Sequence, residues 1–162
     1  MTGGDLDTMT TQPTMMRRRG VLALAAGGVT ATLLPVPAAA QLAPAVQAAL
    51  DRVRGNRTPQ EGRVALRLPP IAENGNTVPL TVAVESPMTA ADHVKTIHVF
   101  ATRNPTPDIA SFHLTPAMGR AQADTRIRLG ETQEVLAVAE MSDGSLFIGR
   151  AEVRVTIGGC GG

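Results

Sequence analysis

The chain closes on VRVTIGGCGG, which sets its single cysteine, Cys160, between Gly158-Gly159 and Gly161-Gly162 at the very end of 162 residues. Glycine has no Cβ, so these four positions would leave the thiol on a thin, mobile segment. Five extended residues reach at most about 17 to 18 Å, enough to enter a narrow channel in another protein. The arm holds no Lys, Arg or His to favour the thiolate and ends in a carboxylate. A thiol so placed is a poor nucleophile by itself. That combination suits a carrier whose thiol is activated inside each partner it visits better than it suits an enzyme. Compartments that oxidise thiols usually hold cysteines in pairs, so a lone one either stays free or bonds to something else.

The remaining groups that could do chemistry are scattered. His93, His98 and His113 raise the question of a copper or other metal site, since neutral imidazole is a common ligand. There is no His-x-His pair, however, and His98 and His113 sit in strand-like runs beside apolar residues. They read as core or surface histidines, and no metal is expected. Asp92, Asp108, Asp124 and Asp143 fall at turns or strand starts, where aspartate is favoured for its local hydrogen bonds. Met88, Met118 and Met141 read as fillers of core gaps. No nucleophile, base and orienting group come together, and no loop has the glycine pattern that cradles phosphate. The expectation is a protein without an independent catalytic site or cofactor.

Whatever presents the arm must lie upstream of it. The N-terminal stretch MMRRRGVLALAAGGVTATLLPVPAAAQ has a basic patch, Arg17 to Arg19, then an apolar run from Val21 to Leu34, then Ala38 and Ala40 before Gln41. That order is the mark of a cleaved export signal, and the apolar run is short for a membrane span. Arg18-Arg19 followed by Gly20-Val21-Leu22 fits the twin-arginine pattern, so residues 1–40 are predicted to send the folded protein to the periplasm. The extra residues Met1 to Thr14 leave Met15 or Met16 as alternative starts. Residues 41–162 carry equal numbers of acidic and basic side chains and, as aromatics, only Phe100, Phe112 and Phe147. Such a domain lacks both the positive field and the stacking surfaces of nucleic-acid binders.

In LAPAVQAALDRVRGN the residues Leu42, Val46, Ala49, Leu50 and Val53 recur at helical spacing, and Gly55-Asn56 can end the helix. Its apolar stripe has to meet either this domain or another subunit. Beyond it the period becomes two. RVALRL alternates Val64, Leu66 and Leu68 with Arg63 and Arg67, and TVPLTVAVE alternates Val78, Leu80, Val82 and Val84. PPIAENGNTVP between them reads as a turn at Asn74-Gly75, with prolines stopping pairing on either side. Further strand runs are KTIHVFAT, ASFHLTPA, DTRIRLG, QEVLAVAEM, LFIG and EVRVTI, with Asp143-Gly144 as the clearest hairpin signal. Seven or eight short strands and one helix predict an all-β, immunoglobulin-like antiparallel sandwich over 41–157, with a closed barrel as the alternative. A flexible carrier arm then occupies 158–162.

The segments PPIAENGNTVPLTVAVESPMT, IHVFATRNPTPDIASFHLTPAMG and TRIRLGETQEVLAVAEMSDGS, together with the terminal GGCGG, resemble the SoxY family. These are the sulfur-carrier subunits of bacterial thiosulfate oxidation. The resemblance covers nearly all of the chain after the leader. It implies that Cys160 is the residue to which thiosulfate is oxidatively conjugated. It also implies a SoxZ partner in a heterodimer and three clients acting on the loaded arm: the haem enzyme SoxXA, the manganese hydrolase SoxB and, where present, the sulfane dehydrogenase SoxCD. Two rival readings remain. Ubiquitin-like carriers end in Gly-Gly and bear sulfur as a thiocarboxylate, here on Gly162, but that chemistry needs ATP. The other rival is a periplasmic copper-binding or interaction sandwich in which the tail has no role.

Overall fold

The structure is a computed structural model and describes residues 42–158. The leader 1–40 with Arg18 and Arg19, and the arm residues Gly159, Cys160, Gly161 and Gly162, lie outside the described residues.

Helix α1 (Pro44–Arg54) forms where the period of 3.6 was read, with Pro44 in its first turn and Gly55 closing it at φ 55°. An 11-residue helix is too short to hold its shape alone in water, so its stability must come from packing. Nine strands follow: β1 (Gln60–Glu61), β2 (Val64–Arg67), β3 (Ile71–Asn74), β4 (Val78–Val84), β5 (Val94–Ala101), β6 (Asp108–His113), β7 (Ala121–Ile127), β8 (Gln133–Met141) and β9 (Leu146–Ile157). A 3₁₀ turn, Pro116–Met118, lies between β6 and β7. The strands make two sheets. The larger has the order β1-β9-β8-β5-β6, with β3 also on β9, and the smaller is β2-β4-β7. The sandwich is realised and the barrel alternative is not.

Alternation decides which face each residue joins. On the inner faces, Val78, Leu80 and Val82 of the smaller sheet meet Ile97, Val99, Val135, Ala137, Ala139 and Val153 of the larger. The outer face of the larger sheet is apolar too: Phe100, Leu136, Val138, Leu146 and Ile148 pack under Val46, Ala49 and Leu50 of α1. The helical stripe is thus buried against its own domain. Strand β8 is covered on both faces, which is why its alternation fades into the near-continuous apolar run VLAVA. Arg57 fastens the far end of the helix. Its guanidinium donates to the Val53 carbonyl at 2.8 Å, to Glu140 at 2.9 Å and to the Gly144 carbonyl in the β8–β9 turn at 3.0 Å.

The Asp143-Gly144 hairpin is present. Gly144 takes φ 86° and Asp143 accepts from the Ser145 backbone N–H at 2.8 Å. Two short strands were not anticipated, β1 and β3, and both pair with β9 in parallel. The segment read as a mere turn therefore contains β3, and LFIG and EVRVTI are a single strand. The chain leaves β9 at Glu61, turns through Gly62 and Arg63 at φ 102° and 58°, runs as β2 in the smaller sheet and returns to β9 as β3. Gly149 marks the crossing: a methyl group there would sit 2.5 Å from the Val64 carbonyl oxygen. Pro79 lies within β4 rather than ending it, because β2 pairs only with Val84 to Thr81 and leaves no partner that would need a proline N–H. Met88 and Met141 fill the core as expected, whereas Met118 is 55% exposed on the 3₁₀ turn, which no layer covers.

Candidate functional site at the root of the C-terminal arm

Gly158 is the one arm residue among those described. Strand β9 is held on both sides almost to its end. On one side the Val155 N–H donates to Thr132 Oγ1 at 2.9 Å. On the other the Arg154 N–H donates to the Pro70 carbonyl at 3.0 Å, and the Ile157 carbonyl accepts from the Gly75 N–H at 2.8 Å. Gly75 in turn accepts from the Leu129 N–H at 2.8 Å. The Asn74-Gly75 turn thus joins the end of β9 to the segment between β7 and β8.

Gly158 rests on that same segment. A Cβ on Gly158 would collide with the Gly130 carbonyl oxygen. The sequence makes Gly158 a flexible link, and the structure adds a packing requirement, since its bare Cα lets the two backbones touch. Gly130 is itself fixed by a buried polar knot. Its N–H donates to Asn104 Oδ1 at 3.0 Å, Asn104 Oδ1 also accepts from Gln133 Nε2 at 2.8 Å, and Asn104 Nδ2 donates to the Arg128 carbonyl at 2.8 Å. Gln133 Oε1 completes the set by accepting from the Arg103 N–H at 2.8 Å. Asn104 and Gln133 are 7% and 3% exposed, and none of their buried polar atoms is left without a partner. Buried polar groups satisfied in this way hold one geometry, because any other would strand a donor or acceptor out of water. Sequence reading missed both residues. Asn104 stands in a Pro-rich turn and Gln133 at a strand start, positions that ordinarily face water.

This geometry yields a contrast between two glycines of the arm. Gly158→Val should force the β7–β8 segment away from the β9 terminus, at a cost of about 1–3 kcal/mol for such overpacking. Urea unfolding should register it as a lowered midpoint. Gly161→Val, outside the described residues, should leave that midpoint at the wild-type value.

The three histidines are apart from the root. His98 and His113 stand on β5 and β6, where His98 Nδ1 is 2.9 Å from Ser111 Oγ and His113 Nδ1 is 3.2 Å from Thr96 Oγ1. His93 precedes β5, with Nδ1 3.1 Å from the Thr89 carbonyl. Among the described residues no three His, Cys, Asp or Glu side chains gather as a metal site would require. His98 stacks on Phe100 at 6.4 Å between ring centroids, and partial burial holds its pKa below the ordinary imidazole value. Asp108 and Glu140 pull the other way and His113 adds to the lowering. The unfolded chain therefore binds the proton more readily than the folded one. The stabilisation is complete at neutral pH and is lost as pH falls through the ordinary imidazole range toward the lower folded value. His98→Gln should flatten this part of the stability profile in urea titrations between mildly acidic and neutral pH.

Of the aspartates, Asp143 serves its turn and Asp108 opens β6. Asp124 departs from the expectation: it lies mid-strand on β7 and accepts from Thr81 across the β4–β7 pair and from Gln122. The Thr81 hydrogen bond, then that from Gln122, keeps its carboxyl below the usual range.

The sequence matches the family model "Sulfur oxidation protein SoxY" over residues 50–160. Among solved structures, the sulfur carrier protein SoxY from Chlorobium limicola f thiosulfatophilum superposes with a TM-score of 0.59 at 32% identity, covering 69% of this chain and 96% of that one. A superoxide reductase (neelaredoxin) from Ignicoccus hospitalis aligns with a TM-score of 0.52 at 15% identity, over 58% of this chain and 80% of its own. A putative superoxide reductase from Thermotoga maritima gives 0.52 and 15%, over 60% and 93%. At such identities the likeness to these two is one of fold alone. No curated protein matches the sequence.

Proposed function

The chain belongs to the SoxY family, and from that premise we propose that it is a covalent sulfur-substrate carrier of thiosulfate oxidation. Cys160 is its attachment point, and Gly158, Gly159, Gly161 and Gly162 form its arm. The observation that carries this reading is where the family match stops. It ends at residue 160, the sole cysteine, two residues beyond the Gly158 that abuts Gly130. A firmly held root next to a cysteine flanked by glycines is what presentation to other catalysts requires. The root fixes the direction of departure, and the tip can thread a cleft.

Loading joins the sulfane sulfur of thiosulfate to Sγ of Cys160. The thiol loses its proton and two electrons leave, giving a Cys–S–S–SO₃⁻ conjugate. A haem-bearing SoxXA partner would supply the two-electron acceptor. A SoxB hydrolase then adds water to the terminal sulfonate, releasing sulfate and leaving a persulfide on Cys160, and a SoxCD dehydrogenase, where present, oxidises the remaining sulfur. In each step the metal or haem belongs to the client, so this chain is a carrier subunit rather than an enzyme. We further propose that SoxZ is its heterodimer partner and that Arg18-Arg19 direct the folded protein to the periplasm.

Intact mass of the protein purified from thiosulfate-grown cells tests the reading. The expected result is a sulfur adduct that maps to Cys160 and disappears on reduction. A thiocarboxylate on Gly162, or an unmodified Cys160 under all growth conditions, would replace it.

A further inference from the structure

The turn that ties down the end of β9 contains a reactive pair. Asn74 is the only asparagine of the chain followed by glycine, since Asn56, Asn76 and Asn104 precede Arg57, Thr77 and Pro105. The side-chain amide of an asparagine can be attacked at Cγ by the backbone nitrogen of the next residue. That nitrogen loses its proton, the new N–C bond closes a five-membered imide, and the side-chain nitrogen leaves as ammonia. Water then opens the ring to aspartate or isoaspartate, so no oxidant or cofactor is required. Glycine in second place leaves the nitrogen uncrowded, whereas threonine is branched at Cβ and proline has no N–H to lose. Asp143-Gly144 offers the same glycine. There, however, Ser145 donates to Asp143 Oδ1 from its hydroxyl at 2.6 Å and its N–H at 2.8 Å, which keeps the carboxyl ionised and a poor electrophile.

At Asn74 the electrophile is primed and the nucleophile is withheld. Asn74 Oδ1 accepts from the Asn76 N–H at 2.9 Å and from Asn76 Nδ2 at 3.1 Å. Two donors on that oxygen polarise the carbonyl and stabilise the negative charge it gains when a nitrogen adds to Cγ. The Asn74 side chain is exposed, so water can reach the ring. Gly75, by contrast, is buried, and its N–H donates to the Ile157 carbonyl at 2.8 Å, where no base can take the proton. The pairing of Asn74 with Ile157 in the β3–β9 ladder also holds Asn74 extended, which turns the Gly75 nitrogen away from Cγ. The Leu129 N–H, on the Gly75 carbonyl at 2.8 Å, keeps the turn from rotating. We propose that Asn74 is a site of spontaneous imide formation and deamidation, and that the Gly75–Ile157 hydrogen bond at the end of β9 is the latch that sets its rate. The latch is one hydrogen bond at the end of a four-residue strand, the kind of element that opens locally while the core stays folded. The change is one-way. Isoaspartate adds an atom to the backbone and puts the following residues out of register with β9, and either product sets a carboxylate in place of the amide. Modification therefore loosens the terminus from which residues 158–162 depart, whatever Cys160 carries.

The test incubates the purified full chain in mildly alkaline buffer and follows its digest by peptide mass over time. A synthetic peptide of residues 70–80 serves as the unlatched reference. The mass gain of amide-to-acid conversion should appear at Asn74 before any other asparagine, with isoaspartate among the products. Its rate should lie at least about tenfold below that of the peptide, because the strand end must open first. Gly158→Val, which pushes the β7–β8 segment and its Leu129 off the β9 terminus, should raise the rate in the folded chain several-fold. Sub-denaturing urea should do the same to the wild type and serves alone if that variant does not fold. Hydrogen exchange at the Gly75 amide should follow the same order, since one opening frees the same N–H. Conversion at Asn56, Asn76 or Asn104 ahead of Asn74, or an Asn74 that stays intact while the peptide converts, would overturn the site. A folded-state rate equal to that of the peptide, or one that stays fixed while Gly75 exchange accelerates, would overturn the latch.

Discussion

Cys160→Ser is expected to abolish thiosulfate-dependent respiration when it replaces the wild-type gene in a deletion strain, down to the level of the strain with no copy. Serine is nearly isosteric with cysteine. Its oxygen, however, cannot form the sulfur–sulfur bond on which loading depends, and its hydroxyl ionises far less readily than a thiol. The loss should be all or none, because the sequence has no second cysteine to take over. Stability is the control. Among the described residues the last hydrogen bond of β9 is accepted at Ile157, upstream of position 160, so the variant should unfold at the wild-type urea midpoint. Intact mass should show no reducible adduct. Full rescue by the variant would remove the thiol from the function and favour an interaction module in which the tail has no role.

The largest effect on folding is expected from Phe100→Ala. Phe100 is the largest fully buried side chain, 0% exposed, and lies on β5 beneath α1. Replacement removes the ring's contacts and leaves a cavity between two rigid layers. Such changes cost about 3–5 kcal/mol, a large part of the roughly 5–15 kcal/mol that holds a domain together. Urea denaturation should show the loss directly. Hydrogen exchange should show where it acts, since α1 depends on this patch and should lose protection before the inner layer of Ile97, Val99 and Ala137 does. A cost below about 1 kcal/mol would mean that the cavity collapses or that α1 is not held by this cluster.

Much of this was legible in the residues. Alternation in TVPLTVAVE and the spacing of Val46, Ala49 and Leu50 report burial directly, because a strand or helix that must hide one face repeats its apolar residues with its own period. The glycines around Cys160 made the carrier reading available before any strand had been placed. What local pattern could not supply is pairing at a distance. β1 and β3 exist because β9 offers them an edge, and two or four residues carry too little alternation to announce that. Gly149 looks like a weak point in LFIGRAEVRVTI until the Val64 carbonyl is seen passing over it.

The sequence by itself determined the periods, the hairpin at Asp143-Gly144 and the lone terminal thiol, since each depends on neighbours along the chain. Only the tertiary structure decided that α1 covers its own sheet, that Asn104 and Gln133 knot the loop under Gly158, and that Ile157 holds the Gly75 N–H at the arm's root. Those residues are far apart in sequence, and their roles come from burial and hydrogen-bond satisfaction, which arise only once the two sheets have closed on each other.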